Sequence, residues 1–194
     1  MIGQNVVSVD NVHCENANEQ ESALAHEMLS GMDFYKSYDF VVITETMKVV
    51  RDNRISFLVL LNFNYTVKPV KYPLHAYSEN YAEIIGIVRL VKDYGRVFIR
   101  PETMEDKISE LFSKVEVDFE NETQLNRKYF TVTDQEQRLR TQVAPQFLRA
   151  IAKRDDLEIE INGHILFVRT RHPNAPETAT VLAEFLAEIN DGSN

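Results

Sequence analysis

The segment from Ile55 to Val67 carries an apolar side chain at every second position, seven times in succession. Successive side chains of a β-strand point to opposite faces, so this period predicts a long strand with one buried face. The other face is apolar at Leu58 and Leu60 and polar toward the end of the segment. We therefore expect the rest of the fold to cover this second face only in part.

Further strands are predicted on the same grounds. Residues 38–50 precede the long strand across a polar turn and form its expected neighbour. Residues 83–91 and 96–100 form a second expected pair, joined by the turn Lys-Asp-Tyr-Gly. Shorter strands are predicted at 5–12, 114–119 and 127–132.

Five segments show the three- and four-residue apolar spacing of amphipathic helices. Gly31 is placed to end the first of them. Thr133 and Glu136 would form a capping box before the third, and Pro145 suits the first turn of the fourth. The predicted helices cover residues 16–31, 103–112, 134–144, 145–152 and 176–190.

Residues 156–172 predict a β-hairpin. Asn-Gly is the preferred centre of a two-residue type I′ turn, so Asn162 and Gly163 are expected at the tip. Counting back from this tip sets Asp156 opposite Arg169. Directly opposed residues share a face of the sheet, so the sequence predicts an ion pair between these two side chains.

The same register divides the hairpin into two faces. Glu158 and Glu160 would lie on the face of Arg169, as solvated side chains rather than as a catalytic pair. Ile165 and Phe167 share that face, and the C-terminal helix is expected to cover them. The opposite face is the predicted core side and consists of Leu157, Ile159, Ile161, His164, Leu166 and Val168.

Four basic residues form a candidate ligand-binding cluster. Arg169, Arg171 and His172 end the hairpin, and Arg138 lies on the predicted helix 134–144. Guanidinium groups bind phosphate and carboxylate well, so the four side chains would suit an anion. The alternative is that these arginines pair with nearby acidic residues, as ordinary structural ion pairs do.

The sequence contains no catalytic or metal-binding motif. Its five histidines lack metal-ligand spacing, its six glycines form no phosphate-binding loop, and its single cysteine, Cys14, excludes a Cys-x-x-Cys clip. A Gly-x-Ser-x-Gly nucleophile motif is also missing. We therefore predict no catalytic residue, no metal and no cofactor. Enzymatic activity stays open, with a non-enzymatic role favoured.

Net charge and composition limit which classes of partner the protein can have. The net charge is −9, and the first 35 residues hold six acidic residues and no lysine or arginine. Such a protein is a poor general binder of nucleic acid. No apolar run reaches the roughly 18 residues that cross a bilayer, and no signal peptide is recognisable. With one thiol, the sequence predicts a soluble cytoplasmic protein that binds neither nucleic acid nor membrane.

Six positions in the C-terminal part follow the order of an aromatic strand, an acidic helix start and a proline-led helix before a hairpin: Phe130, Val132, Asp134, Pro145, Phe147 and Leu148. In this order the segment resembles a bacterial protein family of unknown function. The family has no established activity, so the resemblance implies no catalytic residue. Its members often follow a membrane segment, which this sequence does not show.

Together these patterns predict an α+β protein. We expect a largely antiparallel sheet with flanking helices and a C-terminal β-hairpin followed by an amphipathic helix. Residues 1–194 would form one domain, with a soft division near Lys114 and the least order at 1–17 and 191–194. The expected function is a non-enzymatic binding or assembly module that contacts a partner protein or a second copy. The alternative is a protein or enzyme that binds an anionic small ligand.

Overall fold

The computed structural model describes residues 12–36, 40–51, 54–67, 77–101, 115–173 and 175–191. Over these residues the fold is α+β, with nine antiparallel strands in one sheet and six helices. The strands are β1 (His13–Asn16), β2 (Phe40–Arg51), β3 (Arg54–Val67), β4 (Tyr77–Arg89), β5 (Arg96–Pro101), β6 (Val115–Glu116), β7 (Tyr129–Thr133), β8 (Leu157–Asn162) and β9 (Ile165–Thr170). The helices are α1 (Glu19–Ser30), α2 (Asp33–Lys36), α3 (Thr123–Lys128), α4 (Glu136–Gln142), α5 (Pro145–Ala152) and α6 (Thr178–Asp191).

Several predicted features fall outside these residues. The predicted helix 103–112, the soft division near Lys114 and nearly all of the predicted strand 5–12 lie there. The predicted poorly ordered segment 1–17 contains β1, which pairs with β2.

The strand order is β1-β2-β3-β4-β9-β8-β5-β7-β6. The predicted pairing of the long strand with its predecessor is confirmed, since β2 and β3 are antiparallel neighbours. The predicted pairing of β4 with β5 is wrong, because the hairpin β8–β9 lies between them. The connection between β4 and β5 wraps round the hairpin tip instead. Tyr94 N donates to Gly163 O over 3.1 Å, and Gly163 N donates to Gly95 O over 2.9 Å.

Helices pack on both faces of the sheet. Helix α6 lies on the face that carries Leu58, Val88 and Val168, and α5 belongs to the same core. The predicted apolar stripe of α6 is buried there, apart from the half-buried Val181. Only part of this face of β3 is covered, because Asn62 is exposed. This matches the partial cover that its alternating sequence predicts.

Helix α1 covers the opposite face. It begins after Asn18, whose side chain accepts from Glu21 N while the Glu21 carboxylate accepts from Asn18 N, and it ends at Gly31 as predicted. Its buried side chains contact β3, β4 and Phe167. Those side chains are Ala25, Met28 and Leu29, whereas the predicted core residue Leu24 is exposed.

The predicted capping box before α4 is wrong. Thr133 belongs to β7, and its hydroxyl donates to Arg96 O over 2.9 Å and accepts from Gln135 N over 3.1 Å. The N-cap is Gln135, which makes no side-chain capping bond. The hydroxyl of Thr133 therefore fixes the strand-to-helix turn and does not cap the helix itself.

Gly86 in β4 provides a stability test of the contact with α6. A Cβ at this position would lie 2.7 Å from Val168 Cγ1 and 3.1 Å from Leu186 Cδ1. We predict that Gly86→Ala lowers the free energy of unfolding by about 1–3 kcal/mol, because packed side chains must shift. Urea denaturation measures this change. Gly31→Ala is the control, since its Cβ would meet nothing closer than 3.7 Å. Equal losses in both variants would contradict the prediction.

Candidate functional site

The register of the hairpin determines which acidic residue meets Arg169. The two-residue loop is Gly163 and His164, because Asn162 pairs with Ile165. Gly163 takes the positive φ of +61°, and Asn162 stays in the strand, where its side-chain amide donates to a backbone carbonyl of the α1–α2 connection over 3.1 Å. Arg169 therefore stands opposite Glu158. The predicted pairing with Asp156 is wrong, because the tip lies one residue later than expected.

The face that carries Arg169 is buried rather than solvated. Glu158 is 6% exposed and Glu160 is 4% exposed, so the prediction of solvated side chains is wrong. The covering element is α2 with α1, and not the C-terminal helix. Phe34 of α2 packs on Phe167 with ring centroids 4.6 Å apart. Helix α6 takes the other face, where the missing side chain of Gly86 admits it.

Glu160 anchors the start of α2. Its carboxylate accepts from Asp33 N over 2.7 Å and from Phe34 N over 3.1 Å. Arg96 forms an ion pair with Asp33 beside this contact. Burial raises the pKa of Glu160, and the bond from the Phe34 amide acts in the opposite direction. The two amide donors thus compensate a buried carboxylate and fix α2 over the sheet.

Arg169 compensates two further carboxylates. Its Nε and Nη2 atoms lie 2.7 and 2.6 Å from Glu158 Oε2, in a charge-assisted contact through two nitrogens. Its Nη1 atom lies 3.6 Å from Glu83 Oε2, beyond hydrogen-bond length. The guanidinium also lies over the Phe34 ring, 4.7 Å from its centroid. Arg169 is thus strongly bound to Glu158 and only loosely paired with Glu83.

Glu83 is a buried acid with little compensation. It is 3% exposed, and burial raises its pKa to about 7, with the neighbouring Glu158 charge acting in the same direction and Arg169 against it. This raised pKa brings the titration of the carboxyl into the neutral pH range. A cation placed beside it would favour the charged form.

A pocket lies next to Glu83 where two strands separate. β4 pairs with β9 only from Gly86 to Arg89, and beyond Gly86 the strands diverge. We call this place the fork. The pocket at the fork has a volume of about 330 Å³. It is lined by Glu83, Glu158, Arg169, Thr170, Arg171 and Pro173.

The structure brings together two of the four predicted ligand residues. Arg169 and the exposed Arg171 both line the fork pocket. His172 is exposed and does not line the pocket, and its carbonyl accepts from the Thr178 hydroxyl over 3.1 Å. Arg138 lies at the other end of the hairpin, where its Nη2 atom is 2.6 Å from Asp93 Oδ2. The four side chains therefore do not form one anion pocket.

The charges at the fork favour a cation. Two buried carboxylates face one half-buried guanidinium, and Arg171 adds a positive charge only at the exposed rim. An anion would compete with Glu158 for the guanidinium, whereas a cation would pair with Glu83. Among the described residues no group of three or more His, Cys, Asp or Glu side chains is arranged to hold a metal ion.

Sequence reasoning missed Glu83. One signal for it exists: β4 places Tyr81, Glu83, Ile85 and Ile87 on one face, and the glutamate interrupts an otherwise apolar and aromatic row. A charge at such a position is buried when a helix covers that face. The part played by Phe34 had no comparable signal, because it depends on the docking of α2.

Comparison with protein-family models, with curated proteins and with solved structures found no match to this chain. None of the described helices has both the length and the apolar character needed to cross a membrane. Function is therefore inferred from the geometry of the described residues.

The shifted pKa of Glu83 gives a pH test. Its pKa is about 7 in the folded protein against 4.5 ordinarily, so the folded state binds this proton more tightly than the unfolded chain. The resulting stability is fully present below pH 4.5 and is lost as pH rises toward 7. Glu83→Gln should remove this loss, and its stability relative to wild type should rise by up to about 3 kcal/mol across that range.

Urea denaturation at a series of pH values measures this difference. Glu184→Gln, on the exposed side of α6, is the matched control and should follow the wild-type pH profile. Parallel profiles for wild type and Glu83→Gln would show that the Glu83 carboxyl does not titrate in this range.

Proposed function

We propose that this chain is a non-enzymatic protein-binding module that adds an extended segment of a partner protein to the open edge of β4. One observation carries the proposal. β4 pairs with β3 from Tyr77 to Val88 but with β9 only from Gly86 to Arg89. Among the described strands none pairs with residues 77–85 on the side facing β9. With respect to the described strands, a row of backbone groups on that side is therefore open to a further strand.

The hydrogen-bond pattern identifies which residues present these groups. Leu90 N donates to His164 O over 2.6 Å, in register with the ladder between β4 and β9. Hydrogen-bonded pairs alternate along an antiparallel ladder, so Val88 and Gly86 also point their N–H and C=O groups toward β9. By the same alternation Ile84 and Ala82 point their backbone N–H and C=O groups to the open side. These groups would form hydrogen bonds with an added strand.

The side chains along this edge fit a binding surface. Tyr81 is 40% exposed, and its ring stacks on Phe63 with centroids 5.6 Å apart. Ala82 is exposed beside it and Ile84 is half-buried. The edge thus offers outward backbone groups next to an aromatic surface, which is the combination that strand addition uses for affinity and specificity.

The occupant we propose is a different protein rather than a second copy. Residues 77–85 contain two glutamates and neither lysine nor arginine. A second copy added at this edge would therefore bring acidic residues and no basic residue to meet the Glu83 carboxyl. Like charges that oppose each other across strands are destabilising. Of the two expected occupants, a different partner protein is therefore favoured over a second copy of this chain joined at this edge.

Ala82→Pro tests the proposal. Proline removes one outward N–H and leaves the ladder with β3 intact, as is tolerated on edge strands. Peptides selected on the wild-type chain from a random dodecapeptide display library are titrated against each variant. We expect Ala82→Pro to weaken their binding at least about tenfold, because an N–H donor is lost and a peptide carbonyl is left unpaired.

Ala82→Thr is the control, since it adds a side chain but keeps the N–H, and its affinity should stay within about twofold of wild type. Hydrogen exchange provides an independent readout, because the amides of Ala82 and Ile84 should exchange more slowly when peptide is bound. Peptides that bind Ala82→Pro as tightly as wild type would overturn the proposal.

A further inference from the structure

We infer that the partner segment carries a lysine or arginine directly opposite Glu83, and that its cationic group fills the fork pocket. This inference rests on the proposed function, because the added strand delivers the side chain. It names a chemical property of the partner, a basic residue at one fixed position of an extended segment.

The geometry of an added strand places that residue beside Glu83. Because Ala82 and Ile84 point their backbone groups outward, Glu83 between them occupies a non-hydrogen-bonded position toward the added strand. Opposed residues at such a position share a face, with Cβ atoms roughly 4.5–5.5 Å apart. The opposing side chain therefore lies on the face of Glu83, toward the fork pocket.

The contacts at the fork leave room and charge for a cation. The guanidinium of Arg169 uses Nε and Nη2 on Glu158, so only Nη1, at 3.6 Å, faces Glu83. A pocket of about 330 Å³ adjoins these groups. Thr170 also lines it, and its Oγ1 is buried without a hydrogen-bond partner among the described residues. A lysine or arginine head would add donors to the single 3.6 Å contact that Arg169 makes with Glu83.

Other occupants fit less well. An anionic side chain would meet Glu83 and Glu158 and would have to displace Glu158 from Arg169. A neutral side chain would bring no counter-charge to the Glu83 carboxyl and would gain no ion pair. Arg171 at the exposed rim repels the incoming cation, but its charge is screened by solvent more than the buried carboxylates are.

The register also fixes a second preference. In an antiparallel segment, the residue two positions after the basic one stands opposite Tyr81. Because the exposed ring of Tyr81 continues the aromatic row of Phe63 and Phe34, an apolar or aromatic residue would pack there. The expected motif is therefore a basic residue, any residue, then an apolar or aromatic residue.

The test uses the full chain and the dodecapeptide library described above, selected separately on wild type and on Glu83→Gln. Wild type should enrich lysine or arginine at one fixed position of its binding peptides. Glu83→Gln should still select extended peptides, but without that enrichment. The neutral glutamine keeps the size of the side chain and removes its charge, with an NH₂ donor in place of one acceptor oxygen.

A double-mutant cycle then assigns the contact. The arginine of the best wild-type peptide is replaced by citrulline, which has nearly the same shape and no charge. On wild type this exchange should weaken binding at least about tenfold, and on Glu83→Gln less than about twofold. Arg171→Ala should leave the effect of the exchange in place or increase it.

A pH series gives a second readout. Because the carboxyl of Glu83, with its pKa of about 7, must ionise to bind the cation, affinity for the arginine peptide should fall as pH is lowered through that value. Affinity for the citrulline peptide should stay nearly constant. Among the described residues, the other charged groups that line the fork pocket are Glu158, Arg169 and Arg171.

The outcomes separate the inference from the proposed function. If citrulline costs the same on wild type and on Glu83→Gln, or if no basic residue is enriched, the inference is overturned, and sensitivity to Ala82→Pro still supports strand addition. If no selected peptide is sensitive to Ala82→Pro, the proposed function fails and the inference fails with it.

Discussion

The insertion of one hairpin between two strands that are consecutive in sequence is the constraint on which the described fold depends. β9 pairs with β4 from Gly86 to Arg89, and β8 pairs with β5 from Arg96 to Ile99. The hairpin therefore joins the two halves of the sheet, and the β4–β5 connection encloses its tip. β9 runs two residues beyond Val168, the partner of Gly86, without pairing further with β4, so none of the described strands pairs with residues 77–85 on this side. The open edge and the fork both follow from this separation of β9 from β4.

Glu160 and Glu83 are buried on the same face of the sheet, but their carboxylates are compensated to different extents. Burying a charge costs several kcal/mol unless hydrogen bonds or a counter-charge compensate it. Glu160 accepts from the two backbone amides at the start of α2, so its compensation belongs to the fold. Glu83 shares Arg169 with Glu158 and receives its weaker contact. Its compensation is incomplete, and the missing part is what a ligand can supply.

The sequence predicts the local elements well and their assembly less well. Alternation over Ile55–Val67 and helical spacing before Gly31 depend on neighbouring residues, so β3 and α1 lie where expected, whereas the short helices α2 and α3 were not predicted. The hairpin tip lies one residue later than predicted because Gly163 adopts a positive φ more readily than Asn162. Asn162 instead remains paired in the strand. The burial of Glu158 and Glu160 had no local signal, since it depends on α2 crossing from another part of the chain. The separation of β4 from β5 is likewise a property of long-range pairing.

An open strand edge usually promotes association with any extended chain, and proteins protect such edges with charges that point inward. Glu83 meets that description, because its side chain turns into the covered face while its neighbours present the edge. An apolar strand that adds to β4 would seal a carboxyl group into a still drier environment and gain nothing from it. A second copy of this edge would bring further acidic residues. A segment with a basic residue opposite Glu83 instead supplies the positive charge that Arg169 alone does not provide for both Glu158 and Glu83. Glu83 therefore discourages pairing with other strands and also selects the intended partner.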